Sequence, residues 1–422
     1  MVKKRSPRVY DIIVVGAGMA GLSTAKRLSQ EKNLNILLIE KEKNLTANHL
    51  VMTFNDIVER YELQEAVVLK FPSYEYYSSN KKTNIPIDKK HYSYYIDLAK
   101  LAKSYQKKIK CKIKTNIEIV DAKYVGNKLS LLDKNGKIYL SKMVVDCSGN
   151  TSVVADALGI ERSKVYCNVL SYNITGPNIP RKNWSLPLLY MDYHITRSAG
   201  AWAVQYHNDT IHVGISSLCP YCESTRGDLQ RRLDLFLLKA PGYSQYFKNH
   251  KVKGKKLYKI SPVLQAIDPM VKDNLLVVGD AAGQATAFFG MGSDPCFQMG
   301  EAAAEVAIKA IKEKNYSQKF LMEYEKIWWQ KFGRFELKNI LLRDACARFF
   351  DDDDWDQLVV ALRKLKGYEF YKALRSEYDF KLIAKIFPPK ILFHILSRVT
   401  RVKLLALFHP KLNLRHLSSR VV

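Results

Sequence analysis

One stretch near the start of the chain constrains its fold more than any other. Val9–Val15 is a short apolar run rich in β-branched residues, and it passes at once into Gly16-Ala17-Gly18-Met19-Ala20-Gly21 and a helical pattern through Leu28. The order is strand, glycine turn, helix, which opens a βαβ unit. Gly16 permits the sharp turn, Gly18 lets a diphosphate approach the backbone, and Gly21 lets the helix pack close to the strand. A diphosphate placed there meets N–H groups at the positive end of the helix. A second apolar strand, Asn35–Ile39, ends in Glu40 followed by Lys41. Glu40 stands where an acidic side chain bonds the hydroxyls of an adenosine ribose. These residues predict a dinucleotide site, Ala20 included, and an acidic rather than basic residue at 40 argues for FAD or NAD over NADP.

A distant segment separates those two. Lys272–Val278 reads as another buried strand; it ends in Gly279-Asp280-Ala281, and a small-residue turn, Gly290-Met291-Gly292, leads into a helix over about 294–312. An aspartate at the strand tip suits a ribityl hydroxyl. Amides at the next helix start suit the N1/O2 edge of a flavin, which carries negative charge when reduced. FAD is therefore the expected cofactor.

The glycine turn, Asp146-Cys147-Ser148-Gly149-Asn150-Thr151-Ser152 and the late Gly279-Asp280 segment, in this order, resemble flavoproteins of the p-hydroxybenzoate hydroxylase type. Within that group, LLVVGDAAGQATAFFGMGSDPCFQMGEAAAEVA is most similar to the geranylgeranyl reductase family, and the resemblance spans roughly residues 8 to 345. It implies an FAD-dependent oxidoreductase that reduces C=C bonds of an isoprenoid or prenyl lipid by hydride transfer from flavin N5. No second GxGxxG for a nicotinamide is visible, so the electron donor is left open between NAD(P)H and reduced ferredoxin. A monooxygenase acting on an aromatic or lipid substrate and a lycopene-cyclase-like protein without net redox change share the scaffold and stand as alternatives. Two departures matter. The family's cysteine-containing segment after the ribose-binding acid reads Lys43–His49 here and has no cysteine, and the YxWxFP motif has only Gly200–Gln205 as its counterpart, keeping Trp202 alone. A rebuilt substrate cavity is expected, with Trp202 and Tyr206 on its wall and His49 and Cys296 as candidate catalytic groups.

The expected class is α/β: an FAD-binding Rossmann-like domain of glutathione-reductase type, an antiparallel-sheet substrate domain and a C-terminal helical region. The FAD domain is discontinuous, over 1–50, 96–160 and 270–315; the substrate or cap domain takes 51–95 and 161–269; the basic amphipathic helical region takes 316–422. Helical signals lie around 56–69 and 96–108. Lys134–Lys137 is a hairpin turn between strands, and Met143–Asp146 a third buried strand. Antiparallel strands are expected at Val169–Thr175, Leu188–Ile195, Gly200–Gln205 and Thr210–Ser216. With 422 residues the chain exceeds one core, and its 47% hydrophobic content with 20 Gly and 14 Pro excludes disorder as the main state.

A net charge of +26 favours an anionic partner. No zinc-finger, ribonucleoprotein or basic-zipper pattern accompanies it, so nucleic acid is disfavoured against a prenyl or lipid substrate, an acidic redox partner and a membrane surface. Residues 381–422 hold nine Lys or Arg and no Asp or Glu among apolar residues. They fit an interfacial helix pair, or equally a set of helices packed on the catalytic lobes. No apolar stretch is long enough to span a bilayer. The basic, apolar N-terminus runs straight into the glycine turn and is read as part of the folded protein. Seven scattered cysteines point to a reducing compartment, so the expected location is cytoplasmic or peripheral on the cytoplasmic membrane face. Cys219-Pro220-Tyr221-Cys222 is a redox dithiol, half a zinc site or a structural pair; no second CxxC completes a site, and no metal is expected. Asp351–Asp354 reads as a solvated loop before a helix, since four consecutive residues cannot face one ion.

Overall fold

The computed structural model describes residues 8–408 except 46–49, 72, 87–89, 163–164, 181–187, 193, 198, 220–224, 241 and 263–264, and gives only the backbone course for 401–408. His49 and most of the CxxC segment lie outside the described residues.

The apolar run Val9–Val15 becomes the central strand of an eight-stranded sheet. Ile12, Ile13 and Val14 are fully buried, as a strand covered on both faces requires. It pairs in parallel with Ile36–Ile39 on one side and Ile138–Asp146 on the other; Lys112–Lys114 and Leu275–Val277 extend the parallel set. The expected hairpin is present as Ile119–Val125, Lys128–Asp133 and the first half of Ile138–Asp146. The helix Met19–Leu28 and the long helix Ser293–Glu313 pack together on this sheet, with Ser23 Oγ donating to the Phe297 carbonyl and Thr24 Oγ to that of Gly300.

A second sheet of seven strands runs in the order Lys251–Pro262, Tyr166–Thr175, Thr210–Cys219, Ala201–His207, Leu188–Tyr190, Ser73–Tyr77 and Lys82–Pro86. Leu50–Phe54, Ser93–Asp97 and Val67–Phe71 form a three-stranded sheet, interleaved in the chain with Ser73–Tyr77 and Lys82–Pro86 of the second. The α/β class and the Rossmann-like parallel sheet with a largely antiparallel partner are those read from the sequence.

Local readings failed where tertiary contacts outweigh local pattern. The helix expected over 56–69 is only Asn55–Arg60, and Val67–Phe71 is a strand because its partner Ser93–Asp97 pairs with it across the region. The strand expected over 188–195 stops at Tyr190, since the Asp192 carboxylate accepts the amides of Ile195 and Thr196 and turns the chain. Asp351 caps the helix Asp352–Leu362 in a capping box with Asp354, so the acidic cluster is mostly helix start rather than loop.

From Gln318 the described chain is helical, ending in Pro389–Phe408. Ile391 and Ile395 of that last helix are buried in the helical core, while Phe393 is 75% and Leu396 42% exposed. Arg375 joins the region to the sheet: its guanidinium meets Asp294 at 3.0 Å and Asp56 at 2.8 Å and lies over the rings of Phe54 and Tyr371.

Candidate functional site

Register decides where a ligand can sit. Val15 pairs with Ile39 and with Asp146, and Asp146 with Val277, so the carboxyl ends of these strands open at one edge. Parallel sheets bind ligands at that edge. A cavity of about 920 Å³ extends from there to the seven-stranded sheet, within the roughly 300–1,000 Å³ of ligand sites in general.

The first end of the cavity is the glycine turn. Gly16 has φ +96°, and a Cβ on it would lie 2.3 Å from the Cys147 carbonyl oxygen; a Cβ on Gly21 would lie 1.8 Å from the Gly16 oxygen. Gly18 faces open space, with no atom within 4 Å of its would-be Cβ, and provides no side-chain cap to the helix it starts. The first helical amides are thus available to a ligand. Glu40 accepts the Ala17 amide on one carboxylate oxygen (2.7 Å) and the Glu42 amide on the other (2.9 Å). A carboxylate has about four lone-pair positions, so about two are left for hydroxyl donors. Asp146, wholly buried, accepts the amides of Ser148, Val154 and Ala155 and holds the second turn in shape. Burial pushes its carboxyl upward against those three hydrogen bonds.

Midway lies Asp280. One of its oxygens meets the Lys259 ammonium at 2.7 Å, and the other is 3.6 Å from where a Gly292 Cβ would stand. Gly292 starts the helix Ser293–Glu313, so a cation and a helix N-terminus flank the same carboxylate. The neighbouring Asp280 holds Lys259 upward of the usual lysine range, keeping it charged.

The far end belongs to the seven-stranded sheet. Trp202 lies flat against Gly214 on the adjacent strand, where a Cβ would be 2.2 Å from the indole. His212, 6% exposed, packs beside Trp202 and Tyr95, and its Nδ1 is 3.0 Å from the Asn173 amide oxygen. That contact orients the ring.

Gly16, Gly18, Ala20, Glu40, Lys41, Asp280, Gly290, Met291, Gly292, Cys296 and Trp202 therefore line a single cavity, although they come from four separate stretches of chain. Gly21, Gly279 and Ala281 stand behind it as packing positions. Cys296 is buried, its sulfur fills the space that Gly279 leaves, and burial pushes its thiol far up, so it stays protonated. Tyr206 is on the Trp202 strand but packs into the apolar cluster of the helical region and does not line the cavity. Sequence reading missed Lys259, His212 and Tyr95. Lys259 sits on a strand with five lysines, a composition that reads as a solvated loop; the only signal was the pairing of Leu257 and Lys259 at strand spacing.

Comparison with known proteins places this geometry. The chain is 26% identical over 394 residues to the digeranylgeranylglycerophospholipid reductase of Methanocaldococcus jannaschii, covering 87% of this chain and 94% of that one. The crystal structure of a geranylgeranyl bacteriochlorophyll reductase-like protein from Thermoplasma acidophilum superposes with a TM-score of 0.80 at 21% identity, over 93% of this chain and 100% of its own. The chain is thus similar along most of its length to a digeranylgeranylglycerophospholipid reductase in sequence and to a geranylgeranyl bacteriochlorophyll reductase-like protein in fold. Its fold also matches halogenase PltM in complex with phloroglucinol and FAD, at a TM-score of 0.66 and 13% identity over 98% of this chain and 94% of that one. The lycopene cyclase protein family model matches residues 11–167, which hold the glycine turn, Glu40 and the Asp146 turn. The chain thus shares its fold with a reductase-like protein and a halogenase alike, and its own residues must decide among them.

Proposed function

We propose that the chain binds FAD along the 920 Å³ cavity and reduces C=C bonds of a prenyl lipid. The observation that carries the reading is the continuity of that cavity, from the open space at Gly18 through Asp280 to the Trp202 wall. FAD fits the residues present: the helix amides and Gly18 would hold its diphosphate, Glu40 its ribose, Asp280 its ribityl chain and the Gly290–Gly292 turn its ring. The bound flavin would supply the hydride.

The protein's part is to position and to exclude water. An isolated alkene is poorly electrophilic, so alignment provides most of the acceleration a protein can add. If the proton reaches one alkene carbon ahead of the hydride, positive charge develops on the other, and Trp202 and Tyr95 give an aromatic wall that tolerates it. His212, oriented by Asn173 and lining the cavity, would in its imidazolium form be the acid that delivers the proton from Nε2, while the other hydrogen comes as hydride. The digeranylgeranylglycerophospholipid reductases at comparable length support a prenyl lipid as substrate.

The last helix supports a membrane-facing role for such a substrate. Phe349 (51% exposed) packs against the His394 ring, next in the chain to exposed Phe393, and Arg348 and Arg398 both act on that histidine. Exposed aromatic side chains on a basic helical surface suit an anionic bilayer. No described helix is long and apolar enough to cross one.

The test is direct. The protein, loaded with FAD and reduced by dithionite without oxygen, is incubated with geranylgeranylated glycerophospholipid. A product heavier by two hydrogens per reduced bond supports the reading. Unchanged product mass with a new ring indicates cyclase chemistry, and oxygen-dependent hydroxylation indicates a monooxygenase.

A further inference from the structure

Lys259 has no role in the fold that its surroundings demand. It stands on the strand Lys251–Pro262 and turns inward beside Leu257, while the other lysines of the strand serve the surface. An ammonium has three N–H donors; here one goes to Asp280 Oδ2 at 2.7 Å, and among the described residues no other partner takes the remaining two. The side chain is still 36% exposed, and that exposure faces the cavity. A cation with spare donors, aimed into a cavity enclosed by protein, is arranged for an anion.

Two parts of FAD carry negative charge: the diphosphate, always, and the ring edge at N1 and O2, only when reduced. The diphosphate end of the cavity is marked by Gly16, Gly18 and Glu40. Lys259 is away from it, on the sheet that carries Trp202 and His212, beside the helix start at Gly292. Asp280 holds it there and stops it reaching outward. Resting on the reading of the cavity as an FAD site, we propose that Lys259 is the cation that stabilises the ring edge of reduced flavin, so that this protein binds reduced FAD more tightly than oxidised FAD.

A contact made in only one redox state shifts the midpoint potential; a contact made equally in both does not, however strong it is. A tenfold preference for the reduced form corresponds to about 30 mV for a two-electron couple. The experiment measures FAD affinity and midpoint potential for the full-length protein, its Lys259→Met and Lys259→Arg variants, and the pair Asp280→Asn and Lys259→Met/Asp280→Asn. The last pair removes Lys259 without leaving Asp280 as an unpaired buried charge, so a folding failure of Lys259→Met does not end the test. The expected result, comparing Lys259→Met with the parent and Lys259→Met/Asp280→Asn with Asp280→Asn, is a potential lower by at least about 30 mV at less than a threefold change in affinity for oxidised FAD, with Lys259→Arg close to the parent. A large loss of affinity at unchanged potential would assign Lys259 to the diphosphate and overturn the proposal. Unchanged affinity and potential would overturn it as well. A parent protein that takes up no FAD sinks the cavity reading itself, a distinct outcome.

Discussion

Gly21 and Gly18 stand three residues apart in one motif, and the structure predicts opposite consequences for the same substitution. Gly21 lies inside the helix Met19–Leu28, where Ala in place of Gly favours the helix by about 0.5–1 kcal/mol. Against that, its Cβ would stand 1.8 Å from the Gly16 carbonyl oxygen, a backbone atom of a turn that is itself pressed on Cys147. Relief needs more than 1 Å of helix movement (a carbon meets an oxygen comfortably at about 3.3 Å or more), and the helix is tied to Ser293–Glu313 through Ser23 and Thr24. Overpacking of this kind costs about 1–3 kcal/mol and sometimes more, so Gly21→Ala should lose about 2 kcal/mol net in the apoprotein. Gly18→Ala meets nothing within 4 Å. At an N-cap, glycine to alanine costs under about 1 kcal/mol, so the apoprotein should keep its Tm nearly intact. The new methyl occupies the space of the diphosphate, and FAD affinity should fall tenfold or more, about 1.4 kcal/mol. Denaturant unfolding of the apoproteins and flavin fluorescence titration separate the two effects. A Gly21→Ala protein more stable than its parent, or a Gly18→Ala protein with unchanged flavin affinity, would refute the geometry argued here.

Three further outcomes are expected. Gly214→Ala places a Cβ 2.2 Å from the Trp202 ring and must push the indole into the cavity; prenyl turnover should drop by about 100-fold while FAD binding holds, and equal turnover would remove Trp202 from the substrate wall. Burial, only partly offset by Arg375, pushes the Asp294 carboxyl up to about 7. A folded pKa above the unfolded value of about 4 means that the folded state takes up a proton, so this group's contribution to stability falls as pH rises from about 4 to 7, by at most about 1.4 kcal/mol per pH unit. Asp294→Asn lacks that slope, so its Tm should gain on the parent between pH 5 and pH 8; parallel profiles would count against it. Finally, replacing exposed Phe393 and Leu396 by serine should leave stability within about 1 kcal/mol and reduce sedimentation with vesicles of anionic lipid. Undiminished binding would move the membrane contact elsewhere.

The α/β class of fold and the residues at the strand-end edge of the cavity were legible because their signals are local. Strand, glycine turn and helix follow one another within residues 9–28, and the physics that selects glycine at 16 and 21 acts between neighbours in that unit. Glu40 and Asp280 announce themselves at the ends of apolar strands for the same reason. Tertiary structure alone decided the substrate side. Trp202 became a cavity wall because Gly214, on the paired strand, leaves it room, whereas Tyr206, on the same strand and packed against the same apolar cluster, does not line the cavity. Lys259 and His212 reached the cavity through the register of Lys251–Pro262 and Thr210–Cys219 against Tyr166–Thr175. Such register is set by pairing between segments far apart in the chain, and a one-residue slip would turn both side chains to the opposite face. No pattern within a single segment carries that information.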